Sequence, residues 1–130
     1  MGESLRWLAS GGLLVLCLLL GAACADQPGV NATAITGGGD PQRGRQAFAK
    51  YGCITCHTIP GVPSANALVG PPLTKMGARM YIAGRLPNTP ENLIQWIRHP
   101  QQVEPGNAMP DMNVTDGDGR DMAAYLYTLR

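Results

Sequence analysis

Cysteine and histidine are nearly absent from this chain. Of 130 residues four are Cys and two are His. Two of the cysteines, Cys17 and Cys24, lie in an apolar amino-terminal segment, which leaves Cys53 and Cys56 for the rest of the chain. A multiply disulfide-bonded scaffold is excluded by that count, and so is a closed tetrahedral zinc site, because His99 is the one further donor of the usual kind. Bulky apolar side chains are short as well, with a single Phe and 5% aromatics. Charge is sparse and balanced, at a net +1, where a nucleic-acid-binding face would demand a strongly basic one. A domain this small, without disulfides and poor in large hydrophobics, is marginal on its own core, so it calls for another source of buried mass.

Outside its first residues the chain has no long hydrophobic run. Arg6 leads into "LLVLCLLL", Leu13 to Leu20, and then into the small residues "GAACAD". That order of a basic start, an apolar stretch and a small-residue site reads as a secretory signal over residues 1–25, and the apolar stretch is short for a membrane span. Cleavage after Ala25 gives a soluble protein. A lipoprotein signal ending before Cys24 gives a lipid-anchored one, and an uncleaved segment would be a membrane tether. Residues 26–39, small, polar and glycine-ending, read as a flexible leader. The domain itself is expected over residues 40–130.

Within it the pattern is helical. "DPQRGRQAFAKYG" supplies Asp40 as N-cap, Pro41 at the first helical position and Gly52 as a stop, with Ala47, Phe48 and Tyr51 on one face. The stretch "TIPGVPSANALVGPPLTKMG" is punctuated as irregular loop, and a short helix is expected through "ARMYIAGRL". "TPENLIQWIRHP" has Thr89 as N-cap, Pro90 next and Pro100 as terminator, with Leu93, Ile94, Trp96 and Ile97 inward. "TDGDGRDMAAYLYTLR" opens on a capping box of Thr115 and Asp118 and carries Met122, Tyr125, Leu126 and Leu129 on one stripe. No strand is expected; the class is all-α with long loops. The acidic "DMNVTDGDGRD" fails the spacing of a calcium loop and reads as a solvated turn and cap.

The chemistry concentrates in "YGCITCHTIPG", where Cys53, Cys56 and His57 form Cys-x-x-Cys-His. A thioredoxin-like pair wants a βαβ context that is missing. The reading that uses all three residues is covalent attachment of a c-type haem: two thiols for two vinyl groups, and an imidazole carried to the iron. Attachment of that kind occurs outside the cytoplasm, which agrees with the export signal.

Four separate motifs, "GDPQRGRQAFAKYGCITCH", "GPPL", "LIQWIRHPQQVEPGNAMP" and "AAYLYTL", together resemble the class I, mitochondrial-type monohaem cytochromes c, over residues 39–130. The resemblance implies three main helices and long loops around one covalently bound haem c. It implies Cys53 and Cys56 as thioether positions, His57 as proximal iron ligand and the Pro71 carbonyl as acceptor for His57 Nδ1. It implies Gly44 and Phe48 as the positions that meet the last helix at Tyr125, and Trp96 beside the distal ligand. For that ligand "PGNAM" points to Met109, with Met112, His99 or an open position as alternatives. Met76, Met80 and Met122 are expected as packing residues.

With iron held by His57 and Met109 no position is left for oxygen or substrate, so the expected function is one-electron carriage, not enzymatic turnover. The expected partners are redox proteins, an oxidase, a dehydrogenase or a quinol-oxidising complex, reached in the periplasm through a weakly charged face. The alternative is a dedicated electron-transfer subunit of a respiratory oxidase or periplasmic dehydrogenase complex. A peroxidase or ligand sensor would require the distal Met to be missing or displaced.

Overall fold

The computed structural model describes residues 31–130. The expected signal, Cys24 and the first residues of the expected leader lie outside them. Five helices are seen among the described residues: α1 (Ala32–Ile35), α2 (Pro41–Lys50), α3 (Pro90–Arg98), α4 (Pro100–Val103) and α5 (Asp116–Thr128). Single 3-10 turns cover Cys53–Thr55 and Met76–Ala78. The all-α class holds, with one exception described below.

The three long helices begin where local chemistry places them. Asp40 accepts from the backbone N–H groups of Gln42 and Arg43, Thr89 from that of Asn92 and Thr115 from that of Asp118, so each end has one or two of its orphan donors answered by a side chain. Pro41 and Pro90 stand at the first helical positions. Pro100 stops α3 and also opens α4, since a residue without an N–H is tolerated at a helix start. The capping box is only half formed. The Asp118 carboxylate is drawn to α2, where Lys50 Nζ and the Tyr51 hydroxyl donate to it at 2.7 and 2.6 Å.

α2 and α5 make the central contact. A Cβ on Gly44 would overlap the Asp121 carbonyl, so the two backbones touch at this point and only glycine fits. One turn further on, the rings of Phe48 and Tyr125 meet at 5.8 Å, tilted by 59°. α5 is buried on more sides than one stripe, with Ala123, Ala124 and Tyr127 enclosed beside Met122 and Leu126, because α1, α2, α3 and the Met76–Ala78 turn all lie against it. From α3, Leu93 and Ile97 enter the core while Ile94 and Trp96 are half-buried.

Three expectations are corrected. The stretch "ARMYIAGRL" forms no helix beyond its first residue but a hairpin, β1 (Tyr81–Ile82) paired antiparallel with β2 (Leu86–Pro87). Ala83 and Gly84 between them both take positive φ, a turn suited to the twist of paired strands. Only Ile82 reaches the core, and strands of two residues are too short to display an alternating pattern. In the stretch read as a flexible leader, α1 lies against α5. Ala32 is buried, and the enclosed Thr36 hydroxyl donates to the Ala32 carbonyl at 2.7 Å. Met80 is 80% exposed and packs nothing, whereas Met76 and Met122 are buried.

Candidate functional site

Between the helices and the two long loops lies a cavity of about 460 Å³, inside the range of about 300–1,000 Å³ expected for a large prosthetic group. Its wall includes Cys53, Cys56, His57, Pro71, Trp96 and Met109, so residues drawn from four separate stretches of sequence converge on one space. Met112 also lines it, while remaining 38% exposed over Gly52; His99 does not line it. Leu93, Ile97, Met122 and Leu126 supply the apolar floor.

The Cys-x-x-Cys-His segment is shaped by local backbone chemistry. Gly52, at φ +72°, ends α2 in the left-handed region and turns the chain into the 3-10 turn of Cys53–Thr55. The N–H groups of Cys56 and His57 both donate to the Cys53 carbonyl, at 3.2 and 3.0 Å. This curl brings the two thiols and the imidazole to the same cavity. Burial pushes the free Cys53 thiol up to about 11, with a smaller push from nearby Cys56.

The imidazole is oriented from behind. His57 Nδ1 lies 2.8 Å from the Pro71 carbonyl oxygen. A carbonyl can only accept, so Nδ1 carries the proton and the Nε2 lone pair is left available. Gly70 lies flat against the ring. A Cβ there would come within 2.5 Å of His57 Cε1, so a side chain would push the imidazole out of place. The loop that presents Gly70 and Pro71 is tied back by Gly70 N–H to Cys56 O at 2.7 Å, Leu73 N–H to Thr58 O at 2.8 Å and the Thr58 hydroxyl to Ala67 O at 2.8 Å.

Charge on the wall is limited to Arg79 and Glu104. Arg79 Nη2 donates to the carbonyls of Pro72 at 2.6 Å and Thr74 at 3.0 Å, which holds a cation at the rim, suitable for a ligand with carboxylates. Glu104 is neutralised by Arg85 at 2.7 Å. The donor set thus fits a large apolar ring with acidic substituents and a metal that accepts nitrogen and thioether sulfur.

Sequence reasoning missed Arg79 and two residues behind Met109. Gln101 and Asn107 hold the backbone on either side of that methionine with their side-chain amides. Asn107, in a Pro-Gly-Asn turn, carried a weak local signal. Gln101 carried none.

Comparison with known proteins agrees with this geometry. Residues 41–130 match the family model for cytochrome c. The chain is 42% identical over 89 residues to cytochrome c oxidase subunit 2 of Alkalihalophilus pseudofirmus, an alignment covering 68% of this chain and 25% of that protein. The corresponding subunit of Bacillus subtilis is 30% identical over 88 residues, again 66% of this chain and 25% of the relative. Cytochrome c2 of Rhodopila globiformis is 34% identical over 102 residues, 71% of this chain and 95% of that protein. The chain therefore spans about a quarter of the oxidase subunits and nearly all of the small cytochrome. No solved structure matches.

Proposed function

Because the chain belongs to the cytochrome c family, with one covalently bound haem c as its cofactor, we propose that it passes single electrons between respiratory redox proteins outside the cytoplasm, its iron held between His57 and Met109. The observation that carries this reading is the shared cavity: an imidazole with its Nδ1 proton committed to Pro71 and a methionine thioether line one largely apolar space.

When bound, the haem supplies a one-electron iron couple, whose potential a thioether ligand and burial both raise. The chain's own residues do the rest. Cys53 and Cys56 would hold the group by two thioether bonds, which would remove exchange of cofactor as a failure mode. Pro71 keeps the His57 ring in one tautomer and one orientation, and Gly70 leaves room for that orientation. Trp96 and the apolar floor would keep water from the group, and Arg79 would offer a fixed cation to its carboxylates. If His57 and Met109 both hold the metal, they would leave no place on it for a substrate, and the protein would carry electrons without chemical turnover.

Met109→Ala is expected to abolish the red charge-transfer band of methionine-ligated ferric haem while the haem stays covalently attached in a denaturing gel. Loss of that band in Met112→Ala and its survival in Met109→Ala would reverse the assignment.

A second reading, a dedicated electron-transfer subunit, draws on two observations. The oxidase subunits are relatives at up to 42% identity. Leu68 and Val69 stand 80% and 81% exposed beside Gly70, and Val69 is also at the cavity wall, an apolar surface that a partner protein would cover. Co-purification with an oxidase at stoichiometric haem content favours the subunit, and recovery as a free monomer favours the shuttle. Among the described residues no helix is long and apolar enough to cross a membrane. A membrane tether, if one is used, is proposed to reside in Cys24 or the segment before it, and haem protein recovered in the cytoplasmic fraction would contradict the exported location altogether.

A further inference from the structure

The segment that carries Met109, from Glu104 to Pro110, consists of turns and bends. Within it one backbone contact, Asn107 N–H to Glu104 O, closes at 3.3 Å. Its first residue is tied by the Glu104 N–H to the Pro100 carbonyl at 2.9 Å and by the Arg85–Glu104 ion pair at 2.7 Å, and the residues after it are held by two side-chain amides. Gln101, on α4, donates from Nε2 to the carbonyls of Asn107 at 2.8 Å and Met109 at 2.7 Å, and accepts on Oε1 from the Gly106 N–H at 3.0 Å. Asn107 donates from Nδ2 to the carbonyls of Pro100 at 2.9 Å and Glu104 at 2.6 Å, and accepts on Oδ1 from the Met109 N–H at 2.7 Å. Both main-chain polar groups of Met109 are therefore held by side chains, one on each side of its Cα.

The two amides differ in position. Asn107 lies in the loop and at the cavity wall, so its substitution alters both directly. Gln101 lies outside the loop and does not line the cavity, so whatever it does to the iron must pass through the backbone of residues 106–109. Its amide is matched to its site: two donors face two carbonyl oxygens and one acceptor faces an N–H.

Resting on the reading of Met109 as axial ligand, we propose that Gln101 is a positioning residue that holds the Met109 loop closed and thereby sets how readily a foreign ligand displaces the methionine. The loop has a closed state, with Met109 on the iron, and an open state, with the position free. An exogenous donor binds only the open state, so its apparent affinity scales with the open fraction. Without the Gln101 amide, the carbonyls of Asn107 and Met109 and the N–H of Gly106 turn to water, and the open state gains.

The test is an imidazole titration of the ferric holoprotein, followed by loss of the red charge-transfer band, in wild type, Gln101→Ala, Gln101→Glu and the exposed neighbour Gln102→Ala. Both Gln101 variants are expected to keep covalent haem and the band without imidazole, and to reach half-saturation at roughly tenfold lower imidazole, the equivalent of about 1.4 kcal/mol. Gln102→Ala is expected to stay at the wild-type value. Gln101→Glu preserves length and the acceptor for Gly106 but sets an oxygen against two carbonyls, so it loosens Met109 while slow exchange of the Gly106 amide survives. In Gln101→Ala that protection is lost too. Half-saturation unchanged in both Gln101 variants, with the wild-type band intact and Met109-dependent, overturns the positioning role alone. A wild-type band that Met109→Ala leaves in place overturns the ligand assignment and the proposal with it.

Discussion

Where α2 meets α5 the contact is between backbones, sealed by Gly44 and by the tilted ring pair of Phe48 and Tyr125. In the two loops that face the cavity, residues 56–75 and 104–114, the corresponding work falls to separate hydrogen bonds, some between main-chain groups and some from side chains to main-chain carbonyls. The helical contact closes Gly44, Ala47 and Phe48 of α2 and Met122, Ala123 and Leu126 of α5 away from water. Each loop bond, by contrast, is worth about 1 kcal/mol net and can be exchanged for water. The frame can therefore be rigid before the cofactor's surroundings are, and the loops are the part of the molecule whose order depends on what fills the cavity.

If that division is right, the largest effect belongs to the frame. Gly44→Ala puts a methyl into the Asp121 carbonyl, and neither backbone can yield without separating the helices. The holoprotein is expected to lose about 3 kcal/mol or more in denaturant unfolding, the upper end of overpacking. A loss below 1 kcal/mol would mean that the contact gives way cheaply and the frame is not the rigid half.

The ionic tie across the same contact ranks next. Asp121, 6% exposed, accepts from the Asp40 N–H at 2.7 Å and from Arg43 Nε at 2.7 Å. Desolvation, the largest single influence, pushes its carboxyl up, and the Arg43 hydrogen bond, the Asp40 N–H and the Arg43 charge together outweigh it, leaving it below the usual carboxylate range. A depressed folded value means stability that is full above the unfolded value of about 4 and is lost as pH falls through the lower, folded one. Asp121→Asn is expected to lose about 1–2 kcal/mol at neutral pH and to flatten the acid limb of a stability–pH profile. An unchanged acid limb would assign that limb to other carboxylates.

The smallest effect tests the loop side. The Tyr125 hydroxyl donates to the Pro60 carbonyl at 2.5 Å, joining α5 to the loop behind the attachment motif. Tyr125→Phe keeps the ring against Phe48 and removes that tie, at about 1 kcal/mol. Hydrogen exchange is expected to quicken at the Ile59, Val62 and Ala65 amides but not within α2. Equal quickening in both places would erase the distinction between frame and loop.

The helix starts were legible because a cap is decided within three or four residues: Asp40, Thr89 and Thr115 each serve an N–H two or three positions ahead. The Cys53-x-x-Cys56-His57 motif was legible for the same reason. The hairpin was not, since its strands are too short to alternate and its turn uses Ala83 at positive φ, a residue that gives no hint of it. Nor was the other use of Asp118, whose expected return to its own helix end lost to Lys50 and Tyr51, 68 and 67 residues away in sequence. Met80 looked like a core residue by type alone, and only its place at the start of the hairpin exposes it.

Taken alone, the order of residues settled where three helices begin, that two thiols and an imidazole would be presented together, and that the domain needed more buried mass than its own side chains supply, because each of these depends on neighbours along the chain or on composition. The cavity, the overlap forbidden at Gly44, the Arg43–Asp121 tie across 78 residues and the Gln101 hold on Met109 were decided only on folding. They arise where distant segments are brought within hydrogen-bond or van der Waals reach, and no local propensity encodes which glutamine or which glycine will meet a backbone from the other end of the chain.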